Sequence, residues 1–167
     1  MSLRGPSVLF PAVTAINTAL AAASWPQLTV GGNRLDTGVD VLFGSILEQP
    51  SRESVIVTGL VDDDSREWDG ATVPASQRQS FSTLIVVVTN IPNRTAAEAW
   101  ARLQVLCETL EATFRDFATG RPIIPDALAL AGVYQWTART ASTDLGPLPD
   151  HGYVASARVF VSVQADY

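Results

Sequence analysis

Lysine is missing from this chain of 167 residues: all 11 basic residues are arginine, set against 17 acidic ones, for a formal charge of −6. That balance excludes the basic stripe with which a protein displaces counterions from a nucleic acid. Cysteine and histidine occur once each. One thiol excludes a disulfide framework and a multi-cysteine metal site, and Cys107 is expected to pack as a small buried hydrophobe. No apolar run approaches the ~18 residues that span a bilayer. Arg4 followed by VLFPAVTAINTALAAAS has the outline of a signal peptide. Pro11, Thr14, Asn17 and Thr18 interrupt its apolar part, so an intracellular chain with no membrane partner is expected. Catalytic motifs are missing too: there is no G-x-S-x-G elbow, no P-loop and no G-x-G-x-x-G.

What is present fits a folded protein. An apolar fraction of 47% with 17% charged residues is enough to bury a core, and the length suits one domain over residues 1–167. The most strongly specified stretch runs from Thr95 to Phe117. Trp100, Leu103, Cys107, Leu110, Phe114 and Phe117 recur at alternating steps of three and four, one stripe of an α-helix. Thr95 and Glu98 form a capping box at its start, and Gly120 with Pro122 stops it. Glu98–Arg102 and Glu111–Arg115 read as i,i+4 ion pairs on the opposite face. An earlier helix is expected from Ser7 to Ala22, with Pro11 in its first turn and Val13, Ile16 and Leu20 as its apolar edge.

The remaining elements read as strands. Leu28 to Val30 is short and leads into the turn signal Gly31-Gly32-Asn33. Val39, Val41 and Phe43 alternate with Asp40 and Leu42. Val55 to Val61 runs into the acidic segment Asp62-Asp63-Asp64-Ser65-Arg66-Glu67-Trp68-Asp69-Gly70, a long surface loop or an extended hairpin arm to about Ser76. Gln77 to Thr89 contains Leu84-Ile85-Val86-Val87-Val88, an unbroken apolar run that marks a central strand covered on both faces. After Gly120 the segment RPIIPDALAL reads as irregular. Val133 to Ala141 alternates, Ser142 to His151 reads as a loop, and Tyr153 to Ala165 alternates again with Phe160 as the exception on its polar face. The fold class expected is α+β: a mostly antiparallel sheet with two helices packed on one face.

Clustered carboxylates at Asp62, Asp63, Asp64, Glu67 and Asp69 are the nearest approach to a metal site, since hard cations take oxygen ligands. Arg66 falls where an EF-hand would need an oxygen, so a solvated or partner-facing acidic loop is the expectation. Trp68 among those charges either folds back on the core or anchors a partner. His151 beside Asp150 reads as a solvated histidine. No catalytic, cofactor-binding or metal residue is assigned.

The order of these elements resembles the tail terminator (tail completion, or minor tail) proteins of long-tailed bacteriophages, especially those of actinobacterial phages and prophages. It rests on a short N-terminal helix, a strand ending in an acidic loop (VIVTGLVDDDSREWDG) and a long apolar strand (RQSFSTLIVVVT). A capped helix (NRTAAEAWARLQVLCETLEATF) and a closing strand (HGYVASARVFVSVQADY) complete it. The resemblance implies a virion structural protein, not an enzyme, with no cofactor. It would be assembled in the host cytoplasm and form a ring, a hexamer, at the head-proximal end of the tail tube. Its partners would be further copies of itself, the tail tube protein and the head–tail connector or neck proteins, with DNA only as passing cargo. The interface candidates are Asp62, Asp63, Asp64, Arg66 and Trp68 on the arm, and Arg139 and Arg158 on the last two strands, complementary in charge. The alternatives are a head–tail connector, a small intracellular ligand-binding domain, and a metal-dependent hydrolase using Asp62, Asp64, Asp69 or His151.

Overall fold

The apolar run at Leu84–Val88 lies at the centre of the sheet. In the computed structural model, which describes residues 8–30, 33–34, 38–44, 53–69, 76–115, 133–149 and 152–166, it belongs to β5 (Ser76–Thr89). The chain order is α1 (Leu9–Ala22), β1 (Thr29–Val30), β2 (Asn33–Arg34), β3 (Asp40–Phe43), β4 (Glu53–Asp69), β5, α2 (Ala96–Phe114), β6 (Val133–Pro147) and β7 (Tyr153–Asp166). Five strands form one sheet in the order β3-β4-β5-β7-β6, and β1 and β2 make a separate two-stranded ribbon. Only β3 and β4 run parallel; the other three pairings are antiparallel. The expected α+β architecture is present.

Alternation decides which face is dry. Phe81, Ile85 and Val87 of β5 stand in register with Val163, Val159 and Ala157 of β7, and Trp136 of β6 lies opposite Val163. All of these are buried. Both helices cover this inner face, α1 over β3 and β4, α2 over β5, β7 and β6. Each fully buried Val, Ile or Phe contributes roughly 1.5–3 kcal/mol relative to exposure, so the inner face supplies most of the core. On the outer face Leu84, Val86 and Phe160 are only half-buried. Val88, at one end of the same outer row, is buried, so the central strand is fully covered on one side and partly on the other, which corrects the expected full cover on both faces.

α1 keeps Pro11 in its first turn and buries Val13, Ile16 and Leu20 as their spacing requires. α2 begins on the expected capping box: Glu98 N donates to Thr95 Oγ1 (3.2 Å) and Thr95 N to Glu98 Oε2 (2.8 Å). That backbone hydrogen bond holds the Glu98 carboxyl below its ordinary pKa, with Arg94 adding a smaller pull. α2 ends at Phe114, because Arg115 adopts an extended backbone; Phe117, Gly120, Pro122 and the segment RPIIPDALAL lie outside the described residues. The inward stripe is Ala99, Arg102, Leu103, Leu106, Cys107, Leu110 and Phe114. Trp100, expected on it, is 45% exposed at its border.

Two ion-pair expectations are corrected. Arg102 does not pair with Glu98. It turns inward, where Nε and Nη2 donate to Glu53 Oε1 and Oε2, both at 2.7 Å, and Nη2 also donates to the Pro26 carbonyl at 2.6 Å. Thr89 Oγ1 donates to the same carboxylate at 3.2 Å. Position 102 lies one step from Leu103 and one turn from Leu106, so its side chain falls on the buried stripe. Glu98 pairs instead with Arg94 at 3.6 Å. Glu111 accepts from Thr140 Oγ1 at 3.0 Å, since Arg115 has left the helix and the i,i+4 geometry with it.

Ser142 to Pro147 is not a loop but the second half of β6, paired with β7 down to Pro147↔Tyr153. Where the two strands approach each other's ends, Leu148 N donates to Gly152 O at 2.9 Å. Gly152 has φ 129° and bridges to Pro92. A Cβ there would lie 2.9 Å from Asn93 N, so this close approach of two backbones requires glycine.

Candidate functional site

The acidic segment is an extended hairpin arm. β4 runs unbroken through it to Asp69, paired with β5 as far as Asp69↔Ser76, with register shifts between Val57 and Val61 and between Asp62 and Ser65. Gly59, at φ 74°, sits in the first irregularity, a backbone state that costs glycine nothing. Hydroxyls take up the groups that the interrupted ladder leaves over. Thr58 Oγ1 donates to Leu84 O (2.8 Å) and accepts from Leu60 N (3.2 Å), while Thr83 Oγ1 donates to Leu60 O (3.2 Å).

The second irregularity splits the acidic triplet between the two faces. Asp62 lies opposite Ser82, in the outer-face row that continues through Ser162 to Thr137. Asp64 is held by Gln79 Nε2 at 2.8 Å, and Gln79 is fully buried on the inner side. Arg66 reaches Asp64 at 3.4 Å, both a third exposed, a contact worth at most ~1 kcal/mol. Asp64, Ser65, Arg66 and Glu67 are all exposed in succession, so both faces of the ribbon meet solvent. The side chains of Asp63, Trp68 and Asp69 lie outside the described residues, as does His151; the backbone register places Trp68 opposite Gln77.

Arg139 and Arg158 stand exposed on the outer face, as their alternation predicts. Arg139 is opposite Phe160, and Arg158 is opposite Ser142 on one side and Val86 on the other. Asp62, Ser82, Thr137, Arg139, Phe160 and Ser162 line a trough of about 490 Å³ across four strands, with the Ser82 and Ser162 hydroxyls hydrogen-bonded at 2.9 Å. Register thus brings Asp62 and Arg139 to one trough and sends Asp64 and Arg66 to the other side. Neither Arg139 nor Arg158 makes an ion pair among the described residues.

A second concavity escaped the sequence reading. Trp100, Leu103, Gln104, Cys107, Glu108 and Glu111 of α2 and Thr140 and Thr143 of β6 line a cleft of about 290 Å³ on the inner side. Its floor is apolar and its rim carries two carboxylates one helical turn apart. Burial pushes the Cys107 thiol up to about 11 against the opposing pull of a hydrogen bond with Thr140, and Glu111 and Glu108 add smaller pushes upward. A protonated thiol in that setting is a packing group, as its position on the stripe suggested. The signal for the cleft was Trp100, a large aromatic at the border of the stripe with Glu108 and Glu111 on the flank it shares. Matched against protein-family models and against curated proteins, the chain finds no similar family and no similar sequence.

Proposed function

We propose that this protein is a ring-forming structural component of a phage tail, of the tail-terminator type, which closes the tail tube at its head-proximal end. The observation that carries the reading is the β4–β5 arm. From Thr58 to Asp69 β4 pairs with β5 alone among the described residues, which leaves its other edge open, and Asp64 to Glu67 are exposed in succession. An open strand edge presents backbone groups that a neighbour can satisfy. The outer sheet face offers a site for that neighbour: among the described residues no helix packs on it, it is half-exposed at Leu84, Val86 and Phe160, and it is basic at Arg139 and Arg158. Arm and outer face are different patches on one subunit. Their contact is heterologous, and repetition around an axis closes a ring.

Acidic residues on the arm and Arg139 on the face supply complementary charge, which sets register and partner choice more than affinity. The net negative charge also suits a channel through which DNA passes, since phosphates are not gripped. Native mass spectrometry tests the reading. The expected result is one closed stoichiometry, a hexamer. An open-ended ladder of species would count against ring closure, as would a chain that stays monomeric both free and in the presence of tail tubes.

A further inference from the structure

The α2–β6 cleft joins an apolar floor to an acidic rim. Leu103 and Cys107 form an apolar floor, Trp100 presents an aromatic surface that is 45% exposed, and Glu108 and Glu111 stand at the rim. Among the described residues neither carboxylate has a cationic partner. Among those residues Glu108 accepts from Gln104 Nε2 (2.8 Å) and Glu111 from Thr140 Oγ1 (3.0 Å). A planar guanidinium satisfies both demands at once, stacking on an indole face while its fork engages a carboxylate.

We propose that the cleft receives the Arg158 side chain of a second copy of this chain, so that it is the acidic socket of the ring contact. Arg158 is exposed on the outer face with half-buried Val86 beside it on β5 and half-buried Phe160 two residues on along β7. An arginine with apolar neighbours is the usual composition of an interface anchor, and it matches a socket with an apolar floor and an acidic rim. The same copy does not supply it, because the sheet separates the two: Arg158 projects from the outer face, whereas the cleft lies under α2 on the inner face. Knob and socket on opposite faces make a heterologous contact. The inference rests on the ring-forming reading and specifies one of its contacts.

A charge swap in the full-length protein tests it by sedimentation velocity across a concentration series. Arg158→Glu and Glu108→Arg each change an exposed side chain, and thermal melts by circular dichroism serve as the folding control. Each single reversal is expected to weaken self-association by about 30-fold or more, and the combined variant to recover most of that loss. Association that resists both single reversals overturns the Arg158 contact and leaves ring formation standing. Loss in both singles without recovery in the combination assigns the cleft another cation, a small organic one included, and also overturns it. A wild-type chain that remains monomeric at every concentration overturns it as well; ring formation is then judged separately, at tube ends.

Discussion

Removing either half of the Glu53–Arg102 pair should be the most damaging single polar change among the described residues. Both side chains are buried, at 4% and 9% exposure, and three hydrogen bonds of 2.6–2.7 Å hold the guanidinium. The pair ties the start of β4 to the first half of α2 and, through the Pro26 carbonyl, to the segment after α1. Arg102→Met takes the guanidinium fork away from a buried carboxylate, and Glu53→Leu leaves a buried guanidinium with the Pro26 carbonyl. Either orphaned charge costs about 3–5 kcal/mol, a large part of the 5–15 kcal/mol that typically holds a domain together. At about 2–4 °C per kcal/mol for a chain of this size, melting should fall by roughly 6–20 °C.

The double variant separates attraction from desolvation. With both charges gone, the desolvation penalty is relieved, and what remains includes the loss of partners for Pro26 O and Thr89 Oγ1, roughly 1–3 kcal/mol. Urea titrations followed by circular dichroism and tryptophan fluorescence should therefore show the double variant more stable than either single one. Strict additivity of the two single losses, or a single loss below about 1 kcal/mol, would refute the buried-pair account.

Gly152→Ala should destabilise the chain by about 1–3 kcal/mol, because φ 129° disfavours a side chain and a Cβ would press on Asn93 N at 2.9 Å; an unchanged urea midpoint would show that the two backbones can part. For Cys107 the sign follows from a thiol held to about 11 in the fold against 9.0 when exposed. The unfolded chain loses its proton first, so stability is intact below pH 9 and declines between pH 9 and 11, by roughly 2 kcal/mol at the upper end. Cys107→Ala should lack that portion of the decline, and equal slopes in the two proteins would contradict it. Alkylation of the native thiol at pH 8 should likewise run far slower than in urea.

The elements that were legible in the sequence are those specified locally. The β-branched run at Leu84–Val88, the alternation from Tyr153 to Ala165, and Thr95 with Glu98 before a heptad-like stripe each carry their own geometry within a few residues. Arg102 was misread because a binary pattern assigns a charged residue to the wet face, and its partner Glu53 lies 49 positions away. The second half of β6 was misread because Ser142, Gly146 and Pro147 are turn-forming types, yet pairing with Val154–Arg158 overrides that preference. The arm itself was foreseen as one of two readings. Which of its carboxylates faces which side depends on two bulges that only the pairing with β5 reveals. Arg139 and Arg158 emerged from alternation alone, whereas the Trp100 cleft requires knowing that α2 lies across β6.

The central claim is ring closure at the end of a tail tube, and electron microscopy of tube protein polymerised with and without this chain tests it most directly. The account predicts tubes that stop growing and carry a closed ring of the protein at one end, with Arg158→Glu reducing the fraction of capped ends. Tubes that keep growing with bare ends in the presence of the folded chain would contradict it.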